Sequence, residues 1–433
     1  MFTLCTLYVA QGIPWGFTAT TIPLYLADRG LDNAAVGAAL AMTTLPYSFK
    51  WIWGPIIDAF TLPRFGRRRP WIVFAQGMMA LTILSLILIP DLTEDLKLLA
   101  WIVLLHTVFN ALQDVAVDAL AVDLLDDSER GRANGLMYAS KYGGGMIGAG
   151  GMTTLVAYTN LQTALIVQTA ILLAIMLVPL LVRETDRPIE QRPRVREVLR
   201  GLVDVFGVRS ALVTALLMLT LHVGLGVVTA NAFVLFTQEL KWQPDTYAQL
   251  TGIFGLGIGL GGSVIGGLLA DRYGIKRVAM TASLAMAANW AVFGIGSSLW
   301  HHEWFVWVTS LVQPLATSIL TVSLFALCMQ VSWARVGASQ FTAYMAFSNI
   351  STTLGFSIAA PLTEHFSYAS CYALAALLQL GVTAWLLAID PKQTSRELPR
   401  SPDAPPSRRG LIAVCALGAA LIAFTVYVVR PLL

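Results

Sequence analysis

Four ionisable side chains, Lys50, Asp114, Asp118 and Lys141, lie in otherwise apolar stretches of the chain. Unpaired at the centre of a bilayer each costs on the order of 2.5–3.5 kcal/mol, so they are expected to face one another or an internal cavity, not lipid. Asp114 and Asp118 are four residues apart, which puts both carboxylates on one face of a helix. Two acids beside two ammoniums suit one kind of chemistry: the acids hold and release a proton, the lysines attract an anion, and an anion competing for the lysines changes how the acids hold the proton. On this reading Asp114 and Asp118 carry a coupling proton and Lys50 and Lys141 attract the anionic part of a substrate. Asn110 and Gln113, close to Asp114 in the same segment, line the cavity. The alternative is a static double ion pair that fixes the three helices carrying these residues.

The elements that must hold them follow from composition. Of 433 residues, 56% are hydrophobic and 12% charged, against roughly 25% charged in an ordinary soluble domain. A soluble fold is excluded and the bilayer is the solvent. Apolar runs long enough to cross about 30 Å of hydrocarbon as helices are expected near 2–26, 34–58, 71–90, 98–124, 134–158, 163–182, 211–237, 247–270, 278–299, 304–331, 340–361 and 367–389, with a possible thirteenth at 411–430. The first reads as a retained span, not a cleaved signal. The organisation expected is an N-terminal six-helix bundle (1–182), an inter-bundle loop (183–210), a C-terminal six-helix bundle (211–389), a disordered linker (390–410) and the extra segment 411–433. Alternate loops of one set hold nearly all the Lys and Arg, the other set only Arg29, Lys97 and Lys241. The basic set faces the cytoplasm, which puts the N-terminus and the loop between the halves inside.

Two loops repeat each other. Gly267, Asp271, Arg272, Gly274, Lys276 and Arg277 follow the eighth span with the spacing G-x-x-x-D-R-x-G-x-K-R; Gly54 and Asp58, then Gly66, Arg67, Arg68 and Arg69, follow the second, with five extra residues between Asp and Gly. The glycines permit a tight turn, and the basic residues anchor at a membrane face. A repeat at equivalent places makes the halves parallel copies about an axis along the membrane normal. Glycine runs at 143–151 and 252–267 read as close helix packing.

These loops resemble the signature of the major facilitator superfamily. A narrower resemblance, to AmpG-type muropeptide permeases and the related acetyl-coenzyme A transporters, lies in Phe49, Lys50, Trp53, Pro55 and Asp58, in Gly66, Arg67 and Arg68, and in Gln113, Asp114 and Asp118 with Glu129, Arg130 and Gly131. The second half matches through the general motif and Gly337 to Thr342. The resemblance implies an all-α membrane fold of two six-helix bundles around a central cavity, with Gly54, Asp58, Gly66, Arg67, Arg68, Glu129, Arg130, Gly267, Asp271, Arg272 and Gly274 as gating motifs. It implies a secondary carrier in the bacterial inner membrane, working by alternating access on a proton gradient, with no bound cofactor. Cell-wall sugar-peptide fragments lead as substrate; metal-siderophore complexes and acetyl-coenzyme A follow.

Other classes fit less well. No P-loop supports ATP-driven pumping. A membrane-embedded acyl- or lipid-modifying enzyme needs a nucleophile or metal constellation at a membrane face, and His301, His302 and Glu303 lack further ligands nearby. A receptor built on a carrier fold remains as a third class. The loops leave no room for a nucleic-acid-binding domain. Lipid and a small-molecule substrate are the expected partners of a monomer. The four cysteines sit in apolar segments without disulfide or metal spacing and read as core.

Overall fold

Local sequence signals set where the helices start. Asp32 accepts from Ala35 N at 3.0 Å, Asn160 from Thr163 N at 2.8 Å and Ser367 from Ser370 N at 3.2 Å, each satisfying an amide that a helix N-terminus leaves unpaired. The computed structural model describes residues 1–53, 56–57, 66, 68–89, 95–124, 130–181, 195–333, 336–398 and 407–429. The first half runs through α1 (Phe2–Gly16, continued by a π-turn Phe17–Thr21 into Ile22–Asp28), α2 (Asn33–Thr44, then a 3₁₀ stretch Leu45–Ile52), α3 (Arg69–Ser85), α4 (Leu96–Leu124), α5 (Arg130–Met146, through Ile147–Gly151 to Met152–Tyr158) and α6 (Leu161–Met176). After α7 (Val195–Phe206) come α8 (Arg209–Thr220) and α9 (Val223–Val234), one span broken at Leu221 and His222, then α10 (Pro244–Ala248, through Gln249–Gly255 to Leu256–Tyr273) and α11 (Ile275–Ile295). The chain ends with α12 (Glu303–Val331), α13 (Gly337–His365), α14 (Tyr368–Leu387), α15 (Gln393–Glu397) and α16 (Arg408–Val429). The fold is all-α and of membrane type.

Among the described residues nine helical stretches are long and apolar enough to cross a bilayer, Arg408–Val428 among them. The helices α1, α2, α5 and α13 fall below that apolar content. Two of them, α5 and α13, enter close glycine seams. A Cβ on Gly148 of α5 would lie 1.9 Å from Ile13 O of α1, and one on Gly355 of α13 would lie 2.3 Å from Val223 O of α9. Only glycine lets these backbones approach so closely. The run at 252–267 is mixed: Gly252 packs on Ala149 and Gly150, Gly262 and Gly266 on α12, while a Cβ on Gly257, Gly261 or Gly267 would meet nothing within 4 Å among the described residues.

Several expectations change. The inter-bundle loop contains α7, whose Val205 and Phe206 are buried and whose Phe206 ring packs on Tyr344 and Phe347 of α13. Its charged residues masked an apolar face. The segment 390–410, expected to be a disordered linker, contains α15, fastened where Ser210 N donates to Gln393 Oε1 at 3.0 Å and Asp390 N donates to Ser210 Oγ at 3.0 Å. Beyond it, Ser407 N donates to Asp204 Oδ1 at 3.1 Å, and a Cβ on Gly410 would lie 1.7 Å from Val203 O. The C-terminal helix therefore docks on α7 by its first turn. Cys328 and Cys371 are buried, Cys5 is half-buried, and Cys415 lies on the exposed face of α16.

The halves meet at the end that carries residues 29–32. Gln238 Nε2 donates to Ala27 O at 3.0 Å and Leu31 O at 2.7 Å. Asn33 Nδ2 donates to Thr363 Oγ1 at 3.0 Å and Tyr368 Oη at 3.2 Å. Gly37 backs onto Phe356 O, and the Thr44 and Thr353 hydroxyls pair. This end is closed by neutral hydrogen bonds and close backbone contact.

Candidate functional site

The unbroken helix α4 places Asp114 and Asp118 one turn apart on one face. Asp114 is the centre of the cluster: Lys50 Nζ of α2 lies 3.3 Å from its Oδ2 and Lys141 Nζ of α5 lies 3.2 Å from its Oδ1. One carboxylate thus serves two ammoniums, where two separate pairs were also open from sequence. Its side chain is 7% exposed, that of Lys50 11% and that of Lys141 23%, so Lys141 keeps some access. Asp118 takes a different partner, the hydroxyl of Tyr8 on α1, which donates to its Oδ1.

The α1–α5 seam explains why these groups meet. A Cβ on Gly12 would lie 2.1 Å from the backbone oxygen of Lys141, so α1 rests directly on the turn that carries Lys141, and Tyr8 one turn earlier reaches Asp118. Lys141 Nζ sits 5.9 Å from the ring centroids of both Tyr8 and Tyr47, within reach of cation–π attraction. Tyr8 and Tyr47 were not anticipated. The available signal was Tyr8 standing three residues before Gln11 on one helix face, but an uncharged tyrosine near a membrane face is ordinary.

The two amides expected beside Asp114 are both buried. Gln113 Nε2 donates to Gln76 Oε1 of α3 at 3.3 Å, and Gln76 Nε2 to Leu172 O of α6 at 3.1 Å, while Gln113 Oε1 has no hydrogen-bond partner among the described residues. It sits about 100° around α4 from Asp114, enough to turn it inward. Asn110 is buried, and its Oδ1 has no hydrogen-bond partner among the described residues. Elsewhere, His222 Nδ1 pairs with Ser348 Oγ at 3.0 Å, Trp290 Nε1 donates to Gln313 Oε1 at 2.9 Å, and Asn349 Nδ2 donates to Tyr47 O at 3.4 Å.

Of the gating motifs, Gly54, Asp58, Arg67 and Glu129 lie outside the described residues, as do the side chains of Arg130 and Asp271. The two loop glycines match closely: Gly66 has φ +95° and Gly274 φ +92°, conformations that favour glycine. Arg68 is buried, and the Arg272 guanidinium lies 5.3 Å from the Tyr273 ring centroid. The repeat extends to a shared contact. Arg69 Nη2 donates to Leu180 O at 3.0 Å, and Lys276 Nζ donates to Leu387 O at 3.1 Å and Ile389 O at 2.9 Å. In each copy a basic residue caps carbonyls at the end of that half's sixth span, where the helix dipole favours a cation.

Known proteins share this architecture. The chain is 24% identical over 80% of its length to the anhydromuropeptide permease of Escherichia coli strain K12, covering 71% of that protein. It is 25% identical over 80% of its length to a putative transporter AmpG 4 of Rickettsia conorii, covering 81% of it. Among solved structures, a D-xylose–proton symporter superposes with a TM-score of 0.71 at 13% identity, covering 94% of this chain and 99% of that one. The inward-open xylose transporter XylE of E. coli gives 0.72 at 12% identity, covering 92% and 100%. The family model described as Major Facilitator Superfamily matches residues 4–236 and 215–432, and by that match the chain belongs to this superfamily of membrane transporters.

Proposed function

We propose that the chain is a proton-coupled carrier that moves an anionic, amphipathic small molecule, best matched by cell-wall sugar-peptide fragments, across the bacterial inner membrane by alternating access. One observation carries the reading: Asp114 holds Lys50 and Lys141 at once. An incoming carboxylate that takes the lysines releases Asp114, which then binds a proton; loss of the substrate returns Asp114 to the lysines and expels the proton. Asp118, held by Tyr8, sits one turn away as a second acid. Asn110, with an unpartnered oxygen, is the adjacent polar contact. The excess of Lys and Arg in alternate loops supports a cytoplasmic N-terminus, which turns the end closed by Gln238 and Asn33 outward, and the carrier acts as a monomer. Asp58 and Asp271, with Gly54, Arg67, Glu129 and Arg130, belong to the gates. The likeness to the anhydromuropeptide permease and to AmpG 4 supports the substrate class.

The test is uptake of labelled anhydromuropeptide into proteoliposomes under an imposed pH gradient. Accumulation should require the gradient, and Asp114→Asn should abolish it while preserving exchange of substrate across the membrane. Accumulation unaffected by Asp114→Asn refutes the coupling role. Gradient-driven uptake of a ferric siderophore or acetyl-coenzyme A, with none of the muropeptide, refutes the substrate class alone.

A further inference from the structure

From Leu45 to Ile52, α2 is a 3₁₀ helix, eight residues in a form that rarely persists beyond three or four. The sequence supplies the cause. The Thr43 and Thr44 hydroxyls donate back to Leu40 O at 2.7 Å and Ala41 O at 3.3 Å, an interaction that bends helices, and Pro46 has no amide hydrogen to offer Met42 O.

Three contacts hang on this overwound stretch. Lys50 Nζ reaches Asp114 at 3.3 Å, the Tyr47 ring centroid lies 5.9 Å from Lys141 Nζ, and Tyr47 O accepts from Asn349 Nδ2 of α13 at 3.4 Å. One ammonium of the charged cluster, Lys50, therefore belongs to a segment that the opposite half also holds, and the other, Lys141, lies within cation–π range of it. A 3₁₀ helix rises about 2.0 Å and turns about 120° per residue, an α-helix about 1.5 Å and 100°. Rewinding eight residues shortens the segment by about 4 Å, and between Tyr47 and Lys50 alone the relative rotation is about 60°. The Lys50–Asp114 and Tyr47–Asn349 contacts cannot both survive that change.

We infer that Asn349 is a positioning residue for the coupling site: through the Tyr47–Lys50 turn it conveys to α13 whether Asp114 holds Lys50, and rewinding of that turn carries the state of the site between the halves. The inference rests on the coupling role proposed for Asp114. Tyr47 and Asn349 themselves need not touch the substrate.

Hydrogen exchange of the full-length protein in lipid nanodiscs, without substrate, tests it. Lys50→Met, which leaves Asp114 paired with Lys141, should change exchange at least fivefold across 45–52 and threefold across 347–353. In an Asn349→Leu background the change at 45–52 should persist and that at 347–353 should vanish. An unchanged 45–52 segment, or the same change at 347–353 in both backgrounds, overturns the inference. Pro46→Ala, which restores a donor to Met42 O, serves if Lys50→Met fails to fold: it should slow exchange across 45–52, and no slowing overturns the rewinding. Uphill anhydromuropeptide uptake separates the two readings. If Asp114→Asn abolishes it while Asn349→Leu keeps the full proton-to-substrate ratio, only the transmission fails; if Asp114→Asn leaves it intact, the coupling role itself fails.

Discussion

Removing the Asp114 carboxylate tests the cluster's charge balance directly. The two lysines lie 3.2 and 3.3 Å from it, and at an effective dielectric constant of about 20 each contact is worth roughly 5 kcal/mol before desolvation is subtracted. Net of desolvation, breaking a buried pair from one side costs about 3–5 kcal/mol. Asp114→Asn breaks two pairs at once and leaves two ammoniums repelling each other, so it should fall at the upper end of that range. Lys50→Met or Lys141→Met keeps one pair intact and should cost about 1.5–3 kcal/mol, the worth of one charge-assisted hydrogen bond. Exposure then orders the double variants. Lys50 is 11% exposed and Lys141 23%, so adding Lys50→Met to Asp114→Asn removes the costlier orphan and should recover more stability than adding Lys141→Met. Denaturant unfolding in detergent micelles, followed by tryptophan fluorescence, gives the order. Asp114→Asn as stable as the wild type, or the Lys141 double variant the more stable of the two, would refute the reasoning.

Gly148→Val should prevent stable folding, because its Cβ would lie 1.9 Å from Ile13 O, whereas Gly143→Ala, with open space around its Cβ, should be silent; yield of monodisperse protein distinguishes them. Gln238→Leu removes two hydrogen bonds across the closed end, so a cysteine placed at Asn33 should label faster with a water-soluble maleimide, and unchanged labelling would show that the amide does not hold the seal. Asp271→Asn should slow turnover while leaving substrate affinity within a few-fold, since it lies in the loop motif and away from the charged cluster; lost binding with normal turnover contradicts this. Deleting residues 407–433 should leave transport intact but lower the unfolding temperature by a few degrees, as the packing of Gly410 on Val203 and the Ser407–Asp204 hydrogen bond disappear.

The helices and the charged residues were legible because both are matters of solvent. A lysine or aspartate in an apolar run has few places to go, and Lys50, Asp114 and Lys141 do meet. The distribution of partners was not legible. That Asp114 takes both lysines depends on rotations of α2 and α5 set by the glycine seam with α1 and by the 3₁₀ stretch after Thr44. Gln113 shows the same limit: one residue along a helix is about 100° of rotation, enough to send an amide to Gln76. The repeated loops revealed the glycine conformation shared by Gly66 and Gly274, but not the carbonyls that Arg69 and Lys276 cap, since those belong to spans distant in sequence. Helix α7 was missed because Arg196, Glu197, Arg200 and Asp204 make the segment read as a loop when its buried face is not considered.

The helices α1, α2, α5 and α13 fall short of the apolar content that carries the other spans into a bilayer, and this bears on biosynthesis. Such segments leave the translocation channel readily only when a neighbour offers them a polar or close-packed surface, so α1 is committed when α5 emerges to meet it, and α13 is committed against the backbone of α9, its partner across Gly355. The ribosome has then made most of the chain. A truncation before Gly337 should leave α9 without its docking strand of backbone and draw quality-control proteolysis to the second half, while the first half, complete by Leu181, is already settled in the membrane.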